Sequence, residues 1–362
     1  MSAVLSDFYR RAYLGINYRM RTFAGGRFAS QCRPTSIILL ITERCNARCV
    51  HCDIWKNRGQ EESPTVDQWK ALLRDIFRWL GPVQVTLSGG EALLRAYTPE
   101  LVAFGSSLGL YMEVLTHGYW MEQSRVEQLA RAGPRCVTVS LDGIGATHSR
   151  IRGREKFWEC TELTLTTLAR LREEARAAYA IRLKTVIMDQ NLHEVAAIAG
   201  FAATRGMEVF YQPIEQNYNT PEDPRWFDHA VTWPKEPEKA VRAVEDLIRL
   251  KRAGSPIVNS FGQLNAMISY FRDPDAMRVR VQSHAGHEKR VSCAALNLIQ
   301  IQSNGDVTTC CACPPVGNIK LRSIREIWDT RPRWWETECC IDRRCSAAEG
   351  RNVKLARQES VL

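Results

Sequence analysis

The residues best placed to do chemistry lie between positions 45 and 52, where the chain reads CNARCVHC: Cys45, Cys49 and Cys52, separated by three residues and then by two. Thiolates that gather a metal usually come in fours. Three thiolates on a four-iron cubane leave one iron bare, and that iron can chelate a substrate or cofactor through an amine and a carboxylate. A fully ligated electron-transfer cluster cannot. Zinc is the alternative occupant of a cysteine trio. The chain holds thirteen cysteines, an odd total, most of them in two tight groups. That distribution points to metal in a reducing compartment rather than to a disulfide framework. Cys32, Cys136 and Cys160 belong to neither group and read as small buried hydrophobes.

The elements that must position the trio alternate from Pro34 onward. Short β-branched runs are predicted as strands: SIILLIT from Ser36, VQVTLS from Val83, YMEVLT from Tyr111, CVTVSLD from Cys136, AIRLKTVI from Ala180 and EVFYQPI from Glu208. Amphipathic stretches fill the gaps, such as TVDQWKALLRDIFRWL from Thr65, with Trp69, Leu72, Leu73 and Ile76 on one stripe. Repeated βα units make a parallel sheet, and six of them imply an α/β, partial (β/α)6 TIM-like barrel. CNARCVHC then follows the first strand, at the strand end where such architectures place their chemistry. Buried parallel strands are apolar on both faces, so polar alternation is informative. Thr138, Ser140 and Asp142 share one face, as do Arg182 and Lys184, and these faces either line a wet interior or sit at strand ends in solvent.

The expected organisation is a basic N-terminal arm (1–34), the barrel (35–215), a linker or helical lid (216–290), a β-hairpin/helix extension (291–346) and a polar tail (347–362). Within the lid, helices are predicted near Ala240 to Ala253 and Phe261 to Phe271. In the extension, LNLIQIQSNGDVTT reads as a hairpin turning at NGD, and SIREIWDT reads as helical. No repeat or low-complexity block is present.

This series resembles the radical S-adenosylmethionine enzymes, whose cysteine motif has this spacing after the first strand. The resemblance implies that the open iron of a [4Fe-4S] cluster on Cys45, Cys49 and Cys52 binds S-adenosylmethionine. One electron then cleaves the sulfonium to a 5′-deoxyadenosyl radical that abstracts hydrogen from a substrate. SGGE, Ser88, Gly89, Gly90 and Glu91, resembles the segment that contacts the methionyl amine; glycines let the backbone approach, and a carboxylate suits an ammonium. Thr116 opens THG where relatives usually read Thr-Asn-Gly, so His117 is a departure. Ser140 and Asp142 of SLDG, and Arg150 and Arg152 of HSRIRG, resemble positions near the cofactor. His51 replaces the usual aromatic before the third cysteine and keeps a flat ring for adenine. Ser140 and Asp142 can also be read as helix caps.

The second cysteine group opens with Cys293, a hairpin containing Gly305, then Cys310 four residues later. It resembles the SPASM and twitch extensions, which carry auxiliary [4Fe-4S] clusters, although the full seven-ligand pattern is absent. The implied ligands of one auxiliary cluster are Cys293, Cys310, Cys340 and Cys345. Cys339 competes with Cys340, and Cys311 or Cys313 can substitute. A zinc-ribbon-like knot is the other reading.

Composition sets the remaining bounds. The longest apolar run, IILLI, falls far short of the roughly 18 residues that cross a bilayer, and no signal peptide is evident, so the expected location is cytoplasmic. The net charge is +9, with Arg10, Arg11, Arg19, Arg21, Arg27 and Arg33 opposed early only by Asp7. No nucleic-acid signature accompanies the charge. It reads as a solvated arm or, because Phe8, Tyr9, Tyr13, Leu14 and Ile16 interleave with arginines, as a weak membrane-surface contact.

The expected reaction is hydrogen abstraction from a small-molecule or carbohydrate-like, in one variant lipid-linked, substrate, giving dehydrogenation, epimerisation or decarboxylation. A reductant such as flavodoxin or ferredoxin supplies the electron. Tyr211, Gln212, Glu215 and Lys184 are the substrate-site candidates, each of which can alternatively brace the barrel rim. The alternative is a maturase of a ribosomally made peptide; such relatives often add a peptide-binding domain of about 80 residues, longer than the segment before the first strand. A non-catalytic iron-sulfur carrier has no use for SGGE or a polar lumen.

Overall fold

The structure, a computed structural model, describes residues 3–22, 28, 31–57, 62–175, 179–217, 220, 223, 225–274, 294–309 and 314–332. The chain divides into two compact units: Met1–Thr42 with Gly59–Glu113 and Arg278–Leu362, and Glu43–Arg58 with Val114–Met277.

In the first unit, β1 (Ser36–Leu40) lies parallel to β2 (Gln84–Ser88), with Ile38 opposite Thr86 and Leu40 opposite Ser88. Its other edge carries β7 (Leu298–Ile301), also parallel, with Ser36 opposite Leu298. β7 turns through Gly305, φ +93°, into antiparallel β8 (Asp306–Thr308), which pairs with β9 (Gly317–Asn318). The NGD hairpin is therefore hydrogen-bonded through β7 to the first strand of the βα series.

The basic arm contains helix α1 (Ala3–Thr22). The Tyr13 hydroxyl donates to the Pro34 carbonyl at 2.6 Å and Tyr9 to Leu80 at 2.8 Å, so two of the five apolar residues expected at an interface are committed to packing. Phe8, Leu14 and Ile16 stay exposed.

Helix α2 (Val66–Leu80) begins at a capping box between Thr65 and Gln68 and ends at Gly81, φ +76°. It buries Trp69, Leu72, Leu73, Ile76 and Leu80, each large aliphatic chain contributing about 1.5–3 kcal/mol. Helix α3 is Thr98–Leu108.

The boundary between the units falls inside β3 (Tyr111–Thr116). In the second unit β4 (Cys136–Ser140), β5 (Ala180–Ile187) and β6 (Glu208–Pro213) run parallel, with Ser140 opposite Lys184 and Val186 opposite Gln212. Helix α4 (Ser124–Arg131) leads into β4, and between these strands run α5 (Ala146–Arg152), α6 (Phe157–Glu174) and α7 (Val195–Thr204).

The expected lid holds α8 (Pro237–Arg252) and α9 (Phe261–Arg272), whose apolar faces are buried. The link between these helices lines the edge of β6. Val209 N–H donates to Pro256, Val258 N–H to Val209, and the Asn259 amide bonds both backbone groups of Tyr211 at 2.8 Å. An edge strand that would expose unpaired amides is thus covered. Returning to the first unit, the short α10 (Ile324–Asp329) buries Ile324, Ile327 and Trp328.

Among the described residues, no helix is long and apolar enough to cross a membrane.

Candidate iron-sulfur and cofactor site

In the second unit the three cysteines share one wall. Ala47, Cys49 and Phe157 form a buried apolar cluster, and Cys45, Cys52 and Tyr119 pack against it. All three are free thiols. Burial pushes the Cys49 thiol up although Arg152 pulls the other way, and burial pushes Cys52 up to about 11. Metal binding must therefore expel protons from both. Among the described residues, no three Cys, His, Asp or Glu side chains converge closely enough to hold a single ion.

The loop carrying the trio has almost no regular structure, and its shape comes from the end of α5. Arg48 N–H donates to the Arg152 carbonyl at 3.1 Å and Val50 N–H to Ile151 at 2.9 Å, while Arg154 Nε donates to the Asn46 carbonyl at 3.0 Å. Gly153, φ +68°, completes the brace: a side-chain carbon there would lie 2.1 Å from the Arg48 carbonyl oxygen. His117 adds a side-chain strut. Its Nδ1 accepts from Tyr119 N–H at 2.9 Å, so the proton resides on Nε2, which donates to Asn46 Oδ1 at 2.7 Å. Burial, reinforced by the Arg152 and His148 charges, lowers its pKa to about 3 and keeps it neutral.

A buried charge network stands beside the trio. The Asp142 carboxylate, fully buried just past β4, lies 2.6 Å from Arg152 Nη2 and accepts from Val186 N–H at 2.8 Å. Burial alone would raise its pKa, but Arg152, His51 and the Val186 amide outweigh that and hold it below the ordinary value. Arg152 Nη1 donates to Cys49 Sγ at 3.5 Å. Against the opposing effect of burial, Asp142 and Cys49 raise the guanidinium pKa, so it stays charged. His51 Nε2 is 3.9 Å from Asp142; burial lowers its pKa to about 4, Asp142 opposing and Arg152 and Lys184 assisting.

Two further residues tie this corner together. His148 Nδ1 accepts from the Asp142 N–H at 3.1 Å, and Glu194 accepts from Ile144 N–H and the Thr147 hydroxyl, both at 2.7 Å.

In the first unit, SGGE forms a turn against the end of β1. Gly89 has φ +128°, a side-chain carbon on it would lie 2.1 Å from the Thr42 carbonyl oxygen, and Gly90 N–H donates to that oxygen at 2.8 Å. Glycine is required by the approach itself. Glu91 is buried and caps a short 3-10 turn by accepting from Leu93 N–H at 3.0 Å.

Comparison with known proteins bears on this arrangement. Residues 39–202 match the model of the Radical SAM superfamily, and residues 293–347 match that of an iron-sulfur cluster-binding domain, SPASM. The chain belongs to the radical SAM superfamily. AdoMet-dependent heme synthase of Methanosarcina barkeri is 26% identical over 316 residues, 82% of each chain. Sporulation killing factor maturation protein SkfB of Bacillus subtilis is 29% identical over 49% of this chain and 42% of that one. Among solved structures, Streptococcus suis SuiB bound to S-adenosylmethionine aligns with TM-score 0.61 at 15% identity, over 87% of this chain and 71% of that one. That likeness establishes the fold, an α/β, partial (β/α)6 TIM-like barrel.

Radical SAM membership brings a [4Fe-4S] cluster and S-adenosylmethionine, and the SPASM domain brings auxiliary iron-sulfur clusters. The second unit fits the first two. Three thiols suit iron-sulfur ligation, and two buried nitrogens beside them, Arg152 Nε and His51 Nδ1, have no hydrogen-bond partner. Cys293, Cys310, Cys340 and Cys345, with Cys311, Cys313 and Cys339, lie outside the described residues.

The remaining radical SAM candidates sort by position. Thr116 is buried and accepts from Gly118 N–H and Trp120 Nε1, while Ser140 closes β4, half-buried. Lys184 is half-buried on β5, within electrostatic reach of His51; Gln212 is half-buried and Glu215 exposed just beyond β6. Tyr211 must be corrected. Its ring is fully buried and its hydroxyl donates to the Val195 carbonyl at 2.9 Å, so it packs β6 onto α7. The expected wet face is corrected at two positions: Thr138 is buried, and Arg182 is consumed by an ion pair with Glu208 at 2.9 Å. Asn46, His148 and Glu194 were missed. Asn46 and Glu194 meet partners 71 and 47–50 residues away, which no local pattern marks, whereas His148 bonds Asp142 only six residues away.

Proposed function

We propose that this radical SAM enzyme abstracts hydrogen from a small or carbohydrate-like molecule, leading to dehydrogenation, epimerisation or decarboxylation. The observation that carries the radical chemistry is the thiol trio on one apolar wall, with Arg152 and Asp142 buried beside it. Support for a small substrate comes from coverage. The relative named for heme synthesis aligns over four fifths of both chains, whereas SkfB aligns over about half of this one.

When bound, the cluster and S-adenosylmethionine supply reductive carbon–sulfur cleavage and hydrogen abstraction. The chain's own residues prepare for that. Cys45, Cys49 and Cys52 hold the cluster at three corners while Ala47 and Phe157 keep water from Cys49. Arg152 Nε, buried and without a hydrogen-bond partner, suits the methionyl carboxylate. His51 is neutral at pH 7 and offers its flat ring to adenine. The SGGE turn is assigned to the methionyl amine, and Thr116 and Ser140 to further cofactor contacts. Lys184, Gln212 and Glu215 are assigned to the substrate, Lys184 suiting a carboxylate or phosphate. The electron comes from an external one-electron donor of the flavodoxin or ferredoxin kind.

The second reading is a peptide maturase, favoured by the likeness to SkfB. Anaerobic turnover of the reconstituted protein with dithionite, S-adenosylmethionine and fractionated cell extract separates the two. A small-metabolite fraction that stimulates 5′-deoxyadenosine formation is the expected result, and stimulation by the peptide fraction alone replaces the first reading with the second. A protein that forms no 5′-deoxyadenosine under any condition overturns both.

A further inference from the structure

Arg152 touches the cysteine loop in two ways. Its carbonyl accepts from Arg48 N–H at 3.1 Å, and its Nη1 donates to Cys49 Sγ at 3.5 Å. Its Nη2 is held 2.6 Å from Asp142, itself anchored by the Val186 amide. Both side chains are buried, so solvent screens the interaction little. A guanidinium keeps its charge at any working pH and presents several donors in a fixed fork. The carboxylate aims that fork at one sulfur.

We infer that Arg152 raises the reduction potential of the three-cysteine cluster by donating a charge-assisted hydrogen bond to Cys49, with Asp142 as the residue that holds it in place. The inference rests on the reading of Cys45, Cys49 and Cys52 as cluster ligands. Reduction adds one electron from the external donor to the cluster and breaks no bond, so the reduced state is the more negative one. A positive donor against a ligand sulfur stabilises that state preferentially, and hydrogen bonds to the sulfurs are among the terms that set iron-sulfur potentials. The role differs from binding S-adenosylmethionine, which falls to Nε. Arg152 is in this respect a positioning and tuning residue.

The test is an EPR-monitored redox titration of the anaerobically reconstituted protein without S-adenosylmethionine, which removes cofactor binding from the readout. The variants are Arg152→Gln, Arg152→Lys and the double Arg152→Met/Asp142→Asn, the last leaving no unpaired buried charge. Potentials more negative than wild type are expected for Gln and for the double variant, with Lys between, since it keeps the charge but loses the fork. Equal potentials at equal iron content overturn the inference and leave the cluster reading standing. A second measurement needs no substitution. Wild-type protein labelled with 15N-arginine should show a 15N hyperfine coupling to the reduced cluster in pulsed EPR, and an absent coupling also overturns the inference. A wild-type chain that binds no four-iron cluster overturns the underlying reading, and the inference with it.

Discussion

Gly153 passes so close to Arg48 that a side-chain carbon on it would lie 2.1 Å from the Arg48 carbonyl oxygen, in a backbone conformation, φ +68°, that other residues rarely adopt. The end of α5 and the cysteine loop are pressed together backbone to backbone.

Gly153→Ala should therefore part them. The left-handed conformation alone costs a substituted residue about 1–2 kcal/mol, and the steric overlap adds to it. The expected outcome is a lower thermal midpoint for the metal-free chain together with reduced iron uptake on reconstitution. Unchanged values of both would show that the loop finds another shape.

Replacing any one of Cys45, Cys49 or Cys52 by Ala should remove one cluster and spare the auxiliary site. Iron per chain is expected to fall from about eight to about four, with 5′-deoxyadenosine formation abolished. Iron analysis after anaerobic reconstitution checks the first number and product chromatography the second.

Three buried histidines make acid stability a sharp measurement. His51, His117 and His148 are pushed down to about 4, 3 and 3 from the ordinary 6.5, burial being the largest cause in each. In the unfolded chain they take protons below pH 6.5, while in the folded chain they resist. Stability contributed by the neutral rings is thus full above 6.5 and is lost as pH falls toward the folded values. The limiting slope is about 1.4 kcal/mol per pH unit for each ring. Denaturant titrations of the metal-free chain should show a declining midpoint through this window, and a shallower decline in His117→Asn. A flat profile would contradict the burial of these rings.

Tyr211→Phe tests the reassignment of that residue to packing. Losing the hydroxyl bond to Val195 should cost about 1 kcal/mol in chemical denaturation while leaving 5′-deoxyadenosine formation at the wild-type rate. A large loss of turnover with unchanged stability would return Tyr211 to the substrate site.

The sequence by itself determined the rhythm of the fold and singled out the cysteine trio proposed as cluster ligands. Strands β3 and β5 have the predicted bounds, and the others end within two residues of them, because β-branched runs and helical stripes are local signals. The cysteine spacing was legible because Cys45, Cys49 and Cys52 fall within eight residues, where a local motif can be read. SGGE was legible because a backbone approaching Thr42 this closely admits only glycine at position 89.

The tertiary structure alone decided what braces those ligands and which polar residues are spent on packing. Asn46 meets His117 across 71 residues, Cys49 meets Arg152 across 103, and Thr147 meets Glu194 across 47. Arg182 and Tyr211 looked like lumen residues until partners at Glu208 and Val195 claimed them. Such pairings depend on how parallel strands register and how helix ends abut, which periodicity does not encode. Buried polar groups must nevertheless find partners somewhere, and here several find them at the cysteine loop.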